Sequence, residues 1–168
     1  MIRIFYFLIF CIPFTCFTQT DSLKVLDSSF KYYKDLYGVE CVQDKITDNQ
    51  GNGYEDLYGT RNFRVILHGV AYRGGGNNYY HRSNKRGNKN PLPIDGLKNL
   101  LTNGFSTSVY LYDENFETSP SFLINDEKKD TLKYYQIGGN TEAELDSILM
   151  LSYNSIMNKE VGPVYLHC

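Results

Sequence analysis

The stretch Gly162-Pro163-Val164-Tyr165-Leu166-His167-Cys168 sets an imidazole and a thiol side by side after a short apolar run. Gly162-Pro163 reads as a turn and Val164 to Leu166 as a strand. A cysteine at the carboxyl end of a parallel strand stands where open α/β sheets bind their ligands. A helix that starts just after such a strand favours an anion at its free amides. The same field converts a thiol to thiolate. A thiolate facing a bound phosphate is a nucleophile aimed at phosphorus, and covalent catalysis follows.

The other chemistry-bearing residues are scattered. Of four cysteines, Cys11 and Cys16 lie in the apolar N-terminal segment, which leaves Cys41 and Cys168. Those two could pair as one disulfide in an exported protein. No CxxC pair occurs, and His68, His81 and His167 are far apart in sequence, so no structural zinc site and no cofactor is expected. Arg73-Gly74-Gly75-Gly76-Asn77-Asn78 is rich in glycine but matches neither GxGxxG nor GxxxxGK[ST], and reads as a plain loop. It continues into a basic, polar insertion from Tyr79 to Lys89.

These residues need elements to hold them. Leu23, Leu26, Phe30, Tyr33 and Tyr37 recur at steps of three and four and predict a helix over 22–37. Residues 38–60 are rich in Asn, Asp and Gly and predict loop. Strands are expected over 61–67, 70–72, 105–111 and 132–137, with a short hairpin around Phe122-Leu123-Ile124. A helix opens at Pro93-Ile94-Asp95 and stops at Gly104, placed for a left-handed cap. Thr141-Glu142-Ala143-Glu144 has the form of a capping box. Leu145, Ile148, Leu149, Ser152 and Ile156 trace the expected buried face of the helix that it starts, ending near Asn158. Alternating strands and helices with long crossovers give an α/β fold: a central, mostly parallel sheet flanked by helices.

The totals bound the rest. At 168 residues the chain holds one domain, and 42% apolar residues suffice for its core. A net charge of −2 gives no global field for nucleic acid or anionic membrane, so no nucleic-acid partner is expected. Met1-Ile2-Arg3 followed by an almost wholly apolar run from Ile4 to Phe17 resembles a secretory signal, and the chain reads as exported. That run falls short of the roughly 20 residues of a spanning helix, so no stable membrane span remains after cleavage. The expected division is a signal peptide over 1–19, an N-terminal helix and loop extension over 20–60, and an α/β domain over 61–168.

Val164-Tyr165-Leu166-His167-Cys168 after Gly162-Pro163 resembles the opening of HCxxGxxR, the signature of cysteine-dependent tyrosine and dual-specificity phosphatases. Asn62-Phe63-Arg64-Val65 followed by Tyr72-Arg73-Gly74 is similar to that family's entry strands, and Leu97 to Leu111 to its helix-then-strand element. The resemblance covers about Arg61 to Cys168. It implies a dual-specificity phosphatase-like fold with its C-terminal part missing, and a phosphorylated protein or inositol phosphate or lipid as substrate. It also implies that Cys168 is the nucleophile. His167 would be the neighbour that orients the loop and keeps the thiolate's pKa low.

Three departures stand against that pattern. The arginine and the loop amides of the signature are not among these residues, so the chain as it stands is expected to be inactive. The region before the capping box has no aspartate for the family's general acid. Glu142 or Asp146 would have to substitute for it, although one suits the first helical turn and the other a solvated helix face. Tyr112 follows Leu111, where relatives often carry arginine. The last apolar strand would normally lie inside the sheet, but with nothing after it to cover it an uncovered, aggregation-prone edge is expected. Two alternatives are an exported binding module that uses the Tyr79-Tyr80 loop, and a thiol redox protein that uses Cys41 and Cys168.

Overall fold

The computed structural model describes residues 17–49, 51–54, 57, 59–75, 92, 94–112, 122–125, 130–158 and 160–168. The apolar segment up to residue 16, the Tyr79-Tyr80 loop and the basic insertion up to Lys89 lie outside these residues. Among the described residues no helix is long and apolar enough to cross a membrane.

Helix α1 (Phe17–Tyr37) precedes β1 (Arg64–Leu67) and β2 (Ala71–Gly74). Helix α2 (Ile94–Thr102) leads to β3 (Thr107–Tyr110), then β4 (Phe122–Asn125) and β5 (Asp130–Gln136). Helix α3 (Glu142–Met157) returns the chain to β6 (Val164–His167). The six strands form one sheet in the order β1-β2-β6-β3-β5-β4. The pairs β2–β6, β6–β3 and β3–β5 are parallel, and antiparallel strands close the two edges. The expected α/β class with a mostly parallel sheet is therefore what the chain builds.

The last strand departs from expectation. Rather than an uncovered edge, β6 lies between β2 and β3 and bonds to both. Val164 and Tyr165 have no exposed surface. The reason is the crossover: α3 carries the chain back over β3, into the slot between β2 and β3.

Alternation then divides the side chains of β6. Tyr165 and the core residues of β2, β3 and β5 (Tyr72, Tyr110, Leu132, Tyr134) face a cluster built with Phe63, Phe105, Leu97, Leu100 and Leu101. Tyr33 and Tyr37 of α1, with Ile46 and Leu57 of the following loop, join the same cluster. Residues 20–60 thus share the main core. Val164 and Leu166 face the other way, onto Val109 and Ile148.

Local signals account for the element ends. Thr141 Oγ1 accepts from Glu144 N–H at 3.3 Å, and Thr141 N–H donates to Glu144 Oε2 at 3.0 Å, completing the capping box. The Thr141 hydroxyl, which donates to Glu144 Oε2 at 3.0 Å, and after it the Thr141 N–H hold the Glu144 carboxyl below its ordinary pKa. Gly104, at φ 82°, ends α2 in the left-handed region and lets Phe105 N–H reach the Leu100 carbonyl at 3.0 Å.

The face of α3 is a second correction. Ile148 and Ser155 are its buried residues, whereas Leu145 and Leu149 are exposed, Leu149 by 66%. Met150, Tyr153 and Met157 are exposed as well. The helix is apolar around most of its circumference, so periodicity alone does not select the side that meets the sheet.

Ser108 of β3 is fully buried on the tyrosine-rich face, level with Tyr165 on one side and Tyr134 on the other. Its hydroxyl has no hydrogen-bond partner. Two outcomes are expected from urea unfolding. Ser108→Ala should be neutral or stabilising, because it removes an unsatisfied polar atom. Ser108→Leu should cost about 1–3 kcal/mol by overpacking between the two tyrosines.

Candidate functional site

Strand β6 delivers the two candidate residues to its carboxyl end in different environments. His167 is in register with Gly74 of β2 and Tyr110 of β3, and its carbonyl accepts from Leu111 N–H at 2.7 Å. Its side chain is 1% exposed. Cys168, one residue on, is exposed and free. The strand therefore buries the imidazole and leaves the thiol exposed. Cys41 is also free and exposed, so the structure contains no Cys41–Cys168 disulfide.

The imidazole lies within an aromatic stack. The Tyr110 ring is 4.9 Å away at 11°, and the rings of Tyr134 and Tyr165 are each 5.8 Å away and nearly parallel to it. Tyr134 Oη lies 2.8 Å from His167 Nε2. Tyr134 reaches this position from β5, across β3, because Ser108 between them is small. The other ring nitrogen, Nδ1, is buried and has no hydrogen-bond partner.

Burial dictates the charge. Desolvation pushes the His167 pKa down from 6.5 to about 3, so the ring is neutral at physiological pH. Any support it gives to a thiolate is that of a hydrogen-bond donor and not of a nearby cation. Burial likewise pushes the phenols of Tyr33, Tyr37, Tyr72 and Tyr165 well above their ordinary value, so these remain neutral.

The neighbouring positions are built for close packing. A Cβ on Gly74 would lie 1.7 Å from Tyr165 Oη and 3.0 Å from the Arg61 carbonyl, so only glycine fits there. Phe63 stacks on Tyr165 at 4.9 Å and 8°. Arg64 donates from Nε to Asn62 Oδ1 at 3.2 Å and from its terminal nitrogen to the Gln43 carbonyl. The Asn-Phe-Arg stretch thus ties the loop after α1, at Gln43, to the start of β1 and the core. Arg73 of β2 is exposed and in register with Leu166 of β6.

Other sequence candidates fall outside this arrangement. Glu142 and Asp146 are exposed on α3, Glu142 in its first turn. His68 is structural: its Nε2 lies 3.0 Å from the Val39 carbonyl and its Nδ1 3.4 Å from Tyr72 Oη. His81 and the Tyr79-Tyr80 loop lie outside the described residues. A groove of about 930 Å³ occupies the opposite end of the sheet, lined by Ser106, Thr107, Asp130 and Gly162 at the amino ends of the parallel strands. It is remote from Cys168. Among the described residues no three His, Cys, Asp or Glu side chains cluster to hold a metal.

Sequence reading missed Tyr134. The alternation in 132–137 places Leu132 and Tyr134 on one face, but their level relative to His167 depends on β3 lying between β5 and β6. In comparisons with known proteins, no family, curated sequence or solved structure matches this chain.

The buried neutral imidazole makes stability depend on pH with a definite sign. In the unfolded chain a histidine takes up a proton near pH 6.5, whereas folded His167 does so only near 3. His167 therefore costs no stability above pH 6.5. Below that, each unit of acidification should cost about 1.4 kcal/mol until pH 3 is approached. Unfolding free energies of the wild type and His167→Asn, compared from pH 7 to 4.5, should show the steeper fall in the wild type. Parallel curves would mean that His167 is not buried as described.

Proposed function

We propose that Cys168 is the nucleophile of a phosphate-monoester hydrolase, acting in a polypeptide that also supplies an arginine and a loop of backbone amides after the cysteine. The observation that carries this reading is the separation at the end of β6: an exposed thiol follows directly on a buried, tyrosine-held imidazole at the carboxyl end of a central parallel strand. The order of elements and the likeness of His167-Cys168 to a phosphatase signature support the same reading.

In this chemistry the Cys168 thiolate attacks phosphorus, an S–P bond forms, and the P–O bond to the leaving alcohol or phenol breaks. A general acid protonates the departing oxygen. Water then attacks the phosphocysteine, releasing inorganic phosphate and the thiolate. His167 contributes as a neutral donor and a rigid support. The phosphoryl oxygens need fixed donors, usually the largest catalytic contribution, and residues 1–168 do not provide the signature's arginine. The substrate is a phosphorylated protein or an inositol phosphate or lipid, met outside the cytoplasm if residues 1–19 serve for export.

The exposed apolar side of α3 supports a larger folded unit. Parallel sheets are ordinarily covered on both faces, and here Leu145, Leu149, Met150, Tyr153 and Met157 remain open to solvent beside the less covered face. A helix apolar around most of its circumference is ordinarily buried.

The test is a chain extended through whatever coding sequence lies downstream. It should hydrolyse an aryl phosphate, and Cys168→Ser should abolish turnover; the 168-residue chain should be inactive. Unchanged turnover in Cys168→Ser, or no in-frame glycine and arginine at the signature spacing, would overturn the assignment.

A further inference from the structure

The hydroxyl that holds His167 has a second described partner. Leu92 N–H donates to Tyr134 Oη at 2.9 Å, and the same oxygen lies 2.8 Å from His167 Nε2. A backbone N–H can only donate, so Oη is the acceptor toward Leu92. One hydrogen is shared between Oη and Nε2. The bare nitrogen of an imidazole is a far stronger base than a phenol oxygen, and a phenol is a stronger acid than a neutral imidazole N–H. The shared hydrogen therefore belongs to Oη, and the bond from Leu92 strengthens it as a donor. A neutral ring carries one N–H, which is then on Nδ1. Nδ1 is the buried atom without a partner, on the residue next to Cys168.

We infer that Tyr134 is a positioning residue: its hydroxyl fixes His167 as the Nδ1–H tautomer and presents that N–H as an unspent donor beside the cysteine. Its relevance to catalysis rests on the phosphatase reading, whereas the tautomer itself does not. The donor suits an oxygen acceptor brought to the carboxyl end of β6. A buried donor left unmade carries a desolvation penalty, which is the incentive to fill it.

The molecule contains its own comparison. At His68 the Val39 carbonyl can only accept, so Nε2 carries the proton there. Nδ1 of His68 then accepts from Tyr72 O–H, while Tyr72 Oη accepts from Gly69 N–H at 3.1 Å. Both histidines use a tyrosine hydroxyl that also takes a backbone N–H, but they end as opposite tautomers because the tyrosine meets opposite nitrogens.

Long-range ¹H–¹⁵N correlation spectra of the full chain, labelled on histidine, distinguish the two forms. At pH 7, His167 (assigned by its disappearance in His167→Gln) should show the Nδ1–H pattern, and His68 the Nε2–H pattern. In Tyr134→Phe, His167 should shift toward Nε2–H while His68 is unchanged. A wild-type His167 in the Nε2–H form would overturn the inference, as would an unchanged His167 tautomer in a folded Tyr134→Phe protein. Loss of the His68 pattern would show that this variant does not fold, and the wild-type spectrum then decides. Failure of the extended chain to hydrolyse phosphate esters would leave these spectra as they are, so the two readings fail separately.

Discussion

The aromatic layer beneath β6 is the constraint on which the other features depend. Phe63 lies flat on Tyr165, Tyr72 and Phe105 meet Phe63 and each other within 5.8 Å, and Tyr33 and Tyr37 of α1 pack onto the same rings. Aromatic pairs of this kind add about 0.5–1.5 kcal/mol each beyond the area they bury. Because Tyr165 and His167 are two residues apart on one strand, the layer that fixes Tyr165 also fixes the face that His167 presents. A slip of one residue in β6 would put Leu166 among the tyrosines and His167 on the α3 side. The position of Cys168 is thus set by packing that begins at Phe63, more than 100 residues earlier in the chain.

Much of the fold was legible in local signals, because those signals act over a few residues. The Thr141–Glu144 box, the Gly104 cap and the alternation in 132–137 each specify a local geometry that tertiary contacts did not override. The order of the strands was not legible. Nothing within Val164–His167 states that it inserts between β2 and β3; that follows from where α3 lands. The face of α3 was misread for a related reason: apolar residues surround most of the helix, and only the sheet's position picks Ile148 and Ser155 for burial. Tyr134 escaped notice because its partnership with His167 crosses an intervening strand and needs a small residue at Ser108.

The pair at the end of β6 was the most visible chemical feature of the sequence, and the structure alters the role of one member. A histidine beside a cysteine suggests a cation that stabilises a thiolate. Here the imidazole is enclosed by Tyr110, Tyr134 and Tyr165 and stays neutral, with one nitrogen held by a hydroxyl and the other buried without a partner. A neutral imidazole avoids the desolvation cost of a buried charge. Glu142 and Asp146 are both exposed on α3, Glu142 in its first turn and Asp146 on a solvated face beyond it.

Strand β6 lies in the interior of the sheet, buries His167 and leaves Cys168 exposed at its carboxyl end. Native-state amide hydrogen exchange on the 168-residue chain tests this placement directly. The amides of Tyr165 and Leu166 should exchange only through global unfolding, with protection equal to the most protected amides of β3. Exchange of those two amides at rates typical of a fraying terminus, while β3 stays protected, would place β6 outside the sheet and remove the basis for the site.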